Sequence, residues 1–209
     1  TKYFWYLIWF LPLGGVFIWF IYHQFGKSVA NGMKMVFHVG LGKNSKLPIR
    51  MVPLAVIGTW TTHLFGGSAG REGVAVQIGA AVSNNVGRLV DKTIDIENSR
   101  KMFLITGMAA GFSGLFCTPL AAIFFALEVL VAGKLEYHAL IPATVASISA
   151  AFTSRALGLR KFHINILETL NYHPSTYNAV FLLKLAAMGL CFGIVGSLFA
   201  LILRYLRLK

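Results

Sequence analysis

The sequence predicts an all-α polytopic membrane protein with tilted, re-entrant and broken helices, organised as a single transmembrane domain over residues 1–209. Two observations lead to this fold class. The chain is 56% hydrophobic, with a mean hydropathy of +0.69, which is more apolar surface than one soluble core can bury. Its apolar stretches also differ in length: some reach the roughly 20 residues that cross a bilayer, and others stop half way. Irregular lengths are typical of membrane folds with broken helices.

The first part of the chain gives three predicted segments. Tyr3–Tyr22 is apolar and aromatic throughout and predicts a spanning helix, in which Pro12 favours a bend. Gly32–Gly40 lies between two polar breaks and is too short to span, so it is a candidate re-entrant helix. Leu47–Phe65 predicts the next spanning helix.

The later part of the chain gives five more apolar segments, separated by the polar connection Asp91–Lys101 and by a break at Thr118-Pro119. The last segment would be about 50 Å long if unbroken, so we expect it to tilt or project. Helical sequence begins almost at Thr1 and runs nearly to Lys209, so we expect both ends to be cut or a second chain to complete the fold. The five predicted helices are Gly73–Val90, Met102–Cys117, Leu120–Ala132, Leu140–Leu157, whose Ser and Thr residues favour hydrogen bonds between helices, and Ser175–Leu208.

A glycine-rich stretch, Phe65–Gly79, organises the chain. Four glycines and Ser68 surround Arg71 and Glu72, and an apolar run then continues to about Val90. The pattern predicts an unwound peptide that becomes a helix at membrane depth. Free N–H groups at such a helix start carry partial positive charge and bind anions, and broken helices are tolerated where they line a site. Small residues also allow close helix packing, and the glycines alone do not separate the two interpretations.

The charge pattern fits a membrane protein. The net charge is +12, and the basic residues flank the apolar segments, as is usual for membrane spans. No basic patch is interleaved with stacking aromatics, so we expect no nucleic-acid partner. Cys117 and Cys191 each lie in apolar sequence and are expected to be packed free thiols. No metal-binding spacing occurs, and we expect no metal and no cofactor.

Acidic residues are rare, and two of the seven lie in apolar sequence, Glu72 and Glu128. Acids inside a membrane are functional candidates by default. Desolvation favours the neutral acid at Glu72 and helix-start N–H groups favour the carboxylate, so this group can alternate between blocking an anion path and accepting a proton. Arg71 either holds the loop or tunes Glu72. We expect Glu128 to be structural and His63 to be a hydrogen-bonded packing residue. The other acids lie in polar connections: Asp91, Asp95, Glu97, Glu136 and Glu168.

Two stretches resemble the CLC family of chloride channels and transporters. Gly70-Arg71-Glu72-Gly73, followed by Val76-Gln77-Ile78-Gly79, resembles the family's glycine–basic–glutamate–glycine signature. Gly107–Phe112 and then Thr118–Glu128 resemble the next CLC stretch, where a proline begins a short helix that ends in glutamate. The resemblance covers essentially the whole chain and implies a CLC-type fold, one half of an inverted repeat. Tyr3–Tyr22 would be helix C and Ser175–Leu208 helix J, which makes the chain a partial CLC core without the first two helices and the second half.

Departures from the chloride-type pattern indicate a branch. Chloride-type members carry a Gly-Ser-Gly-Ile-Pro motif whose serine coordinates the central anion, but here Ala30–Met35 has neither serine nor proline. Val74 stands where those members usually have proline. Both departures, with the lead-in Thr62–Ala69, resemble the fluoride-selective bacterial branch, which has a methionine near the lost serine, here Met33. Val129 stands where chloride/proton antiporters carry an inner glutamate. The fluoride branch also lacks that acid and is held to exchange fluoride for protons with its gating glutamate and second-half residues.

The resemblance implies a bacterial fluoride/proton antiporter rather than an enzyme. It implies a homodimer in the bacterial plasma membrane that acts on fluoride or chloride ions and protons, with Glu72 as the gating, proton-accepting residue. Packing also fits Met33, and a helix N-cap also fits Asn31. The alternatives are a chloride channel or chloride/proton exchanger, a membrane enzyme that holds phosphate with the loop Gly66–Gly73, and a non-transporting assembly subunit. The implied anion-binding residues are Asn31, Gly32, Met33, Gly70, Arg71, Gly73 and Val74.

Overall fold

The computed structural model describes residues 5–27, 29, 31–43, 47–91, 99–131, 133–159 and 179–207. Every regular element among these residues is helical, as the sequence predicts. The contacts divide the chain into two compact units, one ending at Lys161 and one beginning at Phe162. The single transmembrane domain over 1–209 stays a prediction. Asp95, Glu97 and Glu168, and both chain ends, lie outside the described residues.

The described residues of the first unit contain seven α-helices, and most of their bounds fall within a few residues of the predicted ones. A 3-10 segment, Trp5–Phe10, precedes them. The helices are α1 (Leu11–Phe25), α2 (Met33–Gly40), α3 (Met51–Leu64), α4 (Glu72–Asp91), α5 (Ser99–Phe116), α6 (Pro119–Glu128) and α7 (Leu140–Ala156).

The start of α1 differs from the prediction. Pro12 was expected to bend a continuous helix, but it occupies the first turn of α1, directly after the 3-10 segment. A proline is favourable there because its missing N–H would have no partner inside the helix in any case. The helix also continues past Tyr22 to Phe25 and ends only before Gly26.

Helices α4 and α5 form the tightest contact of the first unit. A Cβ added to Gly79 or to Gly107 would overlap the carbonyl oxygen of the other residue, and one added to Gly111 would overlap Ala75 O. The two backbones therefore touch directly, which only residues without a Cβ permit. The core around this contact is mainly apolar and includes Val36, Leu47, Val76, Leu104 and Met108, each at most 2% exposed.

Serine side chains tie α7 to the break between α5 and α6. Ser113 Oγ donates to Ser147 O at 2.6 Å, and Ser147 Oγ donates to Pro119 O at 2.9 Å. Ser154 Oγ donates to Gly114 O at 2.7 Å. The hydrogen bonds predicted between helices for this segment are thus confirmed for its serines, whereas Thr144 and Thr153 donate to carbonyls of α7 itself. The serine hydrogen bonds satisfy carbonyl groups near a chain break, where Cys117 has a positive φ of 52°.

The second unit consists of one described helix, α8 (Ala179–Arg207), about 44 Å long. Across the described residues, two segments are long and apolar enough to cross a membrane, Tyr6–Phe25 and Ala179–Leu206. The sequence led us to expect more spans than these two, and that expectation stays a prediction. The other helices are shortened by breaks, or carry polar residues as α4 does.

Both cysteines are free as predicted, although Cys191 is exposed on α8 and not packed.

One buried ion pair fixes the connection between α6 and α7 on α5. Glu136 is 6% exposed, and Lys101 Nζ lies 2.6 Å from its Oε1. His138 Nδ1 lies 3.5 Å from the other carboxylate oxygen. The hydrogen bond from Lys101 lowers the pKa of Glu136 below its ordinary value of 4.5, and this outweighs the opposing effect of burial.

We expect this pair to make stability depend on pH. Since the pKa of Glu136 is lower in the folded protein, its stabilising effect is complete above the unfolded pKa and is lost as the pH falls through the folded pKa. Glu136→Gln should lower the free energy of unfolding by about 1–3 kcal/mol at neutral pH. Thermal unfolding of both proteins across acidic and neutral pH checks this. The difference should shrink on acidification, and a difference that does not change with pH would contradict the assignment. The exposed Glu128→Gln serves as control.

We expect Gly107→Ala to disrupt the first unit, because the added methyl meets the backbone of α4. The cost should exceed the 1–3 kcal/mol typical of overpacking, since backbone cannot move aside as a side chain can. The matched control is Gly15→Ala, where a Cβ meets nothing within 4 Å. Melting in detergent should show a large loss for Gly107→Ala only. Equal melting temperatures would refute the contact.

Candidate functional site

The glycine-rich stretch is unwound as far as Arg71. Residues 65–71 form no helix between α3 and α4, and α4 begins at Glu72. The amide of Ala75 donates to Arg71 O at 3.0 Å, so the N–H groups of the first turn before it have no partner inside the helix. The predicted unwound peptide and the helix start at the acid are therefore confirmed.

The start of α2 is a tight turn that requires glycine. The amide of Lys34 donates to Asn31 O at 3.0 Å, and Gly32 between them has φ 50° and ψ −127°. These angles are those of the first central position of a type II′ turn, which favours glycine. No side chain caps α2. At this helix start the N–H of Met33 has no hydrogen-bond partner among the described residues, and the first turn carries no acid.

The starts of α2 and α4 lie side by side. A Cβ placed on Gly73 would be 3.8 Å from Met33 Cγ and 4.0 Å from Gln77 Nε2. A Cβ placed on Gly32 would be 3.5 Å from the same Gln77 nitrogen. Both helix ends thus direct partial positive charge at one small region. The structure brings together four of the predicted anion-binding residues: Gly32, Met33, Gly73 and Val74.

A cavity of about 430 Å³ opens beside this junction. Gly32, Val74 and Gln77 form the wall nearest the junction, and helices α1 and α3 form the opposite wall. The lining is mixed, with the phenol of Tyr22 and two threonine hydroxyls among apolar and backbone atoms. Its residues are Ile18, Tyr22, Val29, Gly32, Met51, Ala55, Gly58, Thr59, Thr62, Ala69, Val74 and Gln77.

The remaining predicted site residues are exposed at the edge of this junction. Asn31, Gly70, Arg71 and Glu72 are all exposed. The carboxylate of Glu72 folds back over its own loop, so that a Cβ on Gly70 would lie 3.4 Å from Oε2. The acid therefore lies at the N-terminus of α4, where a carboxylate interacts favourably with the positive end of the helix dipole.

Gln77 was missed as a site residue by the sequence reasoning. It was quoted only as part of a motif, yet its amide lies against both helix starts. The signal was present in the spacing, because a residue four positions after Gly73 returns to the same helix face. The expectation for His63 was wrong: Nε2 is buried and has no hydrogen-bond partner in the described ranges. The residue lines a mainly apolar hollow together with Ile57, Trp60, Thr61 and Leu64.

An all-helical membrane fold in which two broken-helix starts meet beside a cavity is typical of ion-transport proteins. The family model for "Voltage gated chloride channel" matches residues 14–207. The chain therefore belongs to the CLC family of voltage gated chloride channels, and the resemblance seen in the sequence is confirmed. It is an integral membrane protein of an ion channel and transporter family, not of an enzyme class.

The chain is similar to curated proteins whose names mention fluoride or chloride. The chain is 38% identical over 194 residues to a "Chloride/fluoride channel protein" of Pseudomonas syringae pv. tomato, covering 93% of this chain and 41% of the relative. It is 33% identical over 157 residues to the H(+)/Cl(-) exchange transporter ClcA of Citrobacter koseri, covering 72% of this chain and 30% of the relative.

A solved structure shares the fold. The crystal structure of a CLC-type fluoride/proton antiporter superposes with a TM-score of 0.81 at 45% identity, over 93% of this chain and 47% of that one. The predicted CLC-type fold is thus confirmed. The chain spans less than half the length of this structure and of the Pseudomonas relative.

We expect Gly32→Ala to weaken anion binding. The matched control, Gly42→Ala, should leave anion binding unchanged. The added Cβ forces an L-residue into φ 50°, ψ −127°, which costs about 1–3 kcal/mol and displaces the start of α2. Gly42→Ala likewise puts an L-residue at a positive φ, +74°, where nothing lies within 4 Å. Calorimetric titration of the full-length protein with fluoride and chloride should show weaker binding only for Gly32→Ala. Equal effects of the two variants would argue against a site at this turn.

Proposed function

We propose that this chain forms the first half of a pathway that exports fluoride across the bacterial cell membrane in exchange for protons. The observation that carries the proposal is the meeting of the α2 and α4 starts beside one cavity, with the acid Glu72 at the mouth of α4. The proposal is supported by the similarity to a CLC-type fluoride/proton antiporter, which is 45% identical, against 33% for ClcA.

The anion is held at the junction by the backbone donor of Met33 on one side and by those of Gly73 and Val74 on the other, and Gly32, whose own N–H donates to Val29 O at 3.0 Å, forms the turn that brings Met33 there. A small anion such as fluoride is strongly hydrated, so close donors must replace the water it loses. Asn31, Gly70 and Arg71 lie at the exposed edge of the junction and take part in the approach of the ion.

Glu72 couples the anion to the proton. When ionised, its carboxylate is attracted to the same helix-start N–H groups as the anion and occupies their field. When protonated, it loses this attraction and leaves the site to the anion. Alternation between the two states requires no cofactor or metal and makes no covalent bond. By analogy with the family, two copies of the full-length chain would form a homodimer with one pathway in each subunit.

Chloride transport by the same fold is the second candidate. It is favoured by the 33% identity to ClcA and by the word "chloride" in the name of the Pseudomonas relative. The absence of serine and proline from Ala30–Met35, and Val74 in place of proline, favour fluoride instead.

We expect Glu72→Gln to separate anion movement from proton movement. Liposomes that contain the full-length protein and are loaded with fluoride or chloride should release fluoride far faster than chloride. Protons should enter as fluoride leaves, which is measured as the change in release when a proton ionophore is added. Glu72→Gln should abolish the proton flux, because an amide cannot exchange a proton at this position. Chloride release equal to fluoride release would refute the fluoride assignment.

The control for this experiment removes another carboxyl from apolar sequence. Glu128→Gln lies at the exposed end of α6, where the carboxylate accepts a hydrogen bond from Gly133 N–H at 3.3 Å. This variant should keep proton-coupled release. Loss of coupling in both variants would show that Glu72 is not the specific coupling group.

A further inference from the structure

We propose that Gln77 is a further anion-binding residue, whose side-chain amide donates a hydrogen bond to the ion at the junction of α2 and α4 and favours fluoride over chloride. This inference rests on the proposed function, because it concerns the same site. It adds a side-chain donor to a site otherwise built from backbone N–H groups.

The position of the amide is the first argument. Gln77 Nε2 is the nearer of its two amide atoms to the Gly32 turn, at 3.5 Å from the position of a Cβ there, against 3.9 Å for Oε1. The same nitrogen is 4.0 Å from the Cβ position of Gly73. The terminal amide of one side chain therefore lies against both helix starts.

The second argument is the free hydrogen-bonding capacity of this amide. Gln77 is half-buried, and within the part of the chain that the structure describes its side chain has no hydrogen-bond partner. An amide without a protein partner has both of its N–H donors free for water or for an ion in the cavity. An anion at the junction would supply the missing acceptor.

The cavity next to Gln77 gives the third argument. Thr59 Oγ1 donates to Ala55 O at 2.7 Å, and Thr62 Oγ1 donates to Gly58 O at 2.8 Å. Their protons are committed to the helix backbone, so these hydroxyls present lone pairs to the cavity and attract water rather than anions. Among the amide and threonine groups of this lining, Gln77 is thus the one with N–H donors to offer.

The preference for fluoride follows from ion size. A small ion of high charge density gains more from each close donor than a large one, and it also loses more hydration on entering the site. Removing one donor should therefore weaken fluoride binding more than chloride binding.

The test compares the two glutamines of the chain in the full-length protein. Gln77→Met keeps the length of the side chain and removes both N–H donors. The control Gln24→Met makes the same chemical change on the exposed face of α1, outside the cavity lining. Calorimetric titration with sodium fluoride and sodium chloride gives the affinities, liposome release gives the flux ratio, and thermal melting reports folding.

Gln77→Met should weaken fluoride binding about tenfold or more, the usual effect of losing a hydrogen bond to a charged partner. The fluoride-to-chloride release ratio should fall, while the melting temperature and all properties of Gln24→Met stay at wild-type values. Unchanged fluoride affinity in Gln77→Met would overturn the inference. Equal weakening of both anions together with a lower melting temperature would also overturn it, because packing alone would then explain the effect.

Gln77→Glu provides a second variant of the same shape if the methionine variant does not fold. Its carboxylate only accepts hydrogen bonds and repels anions, so fluoride binding should be lost at neutral pH, and retained binding would overturn the inference. The proposed function is judged separately. Wild-type liposomes that release no fluoride refute the transport proposal, whereas wild-type release with unchanged Gln77→Met refutes only the assignment of Gln77. A wild-type protein that binds neither anion refutes both.

Discussion

The direct backbone contact between α4 and α5 is the constraint on which the first unit depends. Gly79, Gly107 and Gly111 bring the helices so close that no Cβ fits between them. Such contact gains dispersion energy along the whole interface, which is the main force that holds helices together where lipid replaces water. The core residues Leu104 and Met108 of α5 are fully buried beside this contact. The position of α4 is thus set by α5 and not by its own exposed face.

The site depends on that placement. Gly73 precedes Gly79 by six residues, about 9 Å along the helix axis, so the contact that anchors α4 also fixes its N-terminal turn. Met33 and the Gly32 turn meet this end of the helix. The unwound loop approaches from the other side, where Phe65 packs so closely on Gly14 of α1 that a Cβ there would lie 2.6 Å from the ring. Rigid packing on both sides allows unpaired N–H groups to remain directed at one point.

Local features of the sequence predicted local features of the structure. The break before Glu72 was predictable because glycines cluster there, and α2 was predicted within one residue because polar or glycine residues bound it. The end of α1 was predicted too early, at Tyr22, whereas the helix continues to Phe25 because the first helix-breaking residue after Tyr22 is Gly26. Neither the unpaired ring nitrogen of His63 nor the proximity of Gln77 to Gly32 follows from spacing. Both depend on neighbours from other helices, which a single chain pattern does not contain. The sequence analysis placed Gly32 in the same site as the start of α4 only because the family resemblance implied it.

The electrostatics of the junction explain why an anion and a carboxylate would exclude each other there. Each helix start carries roughly half a positive charge, so two starts at one point neutralise about one negative charge. Arg71 and Lys34 are exposed at the edge of the junction and not buried in it. Their charges therefore add little to the positive charge of the two helix starts, which is enough for one anion and not for two. Under the proposed function, an ionised Glu72 and a bound ion then compete for the same field, and protonation of Glu72 is what admits the ion. A buried arginine or lysine would remove this competition by binding both, so under the proposed function backbone and amide donors in place of cations are what would make exchange possible.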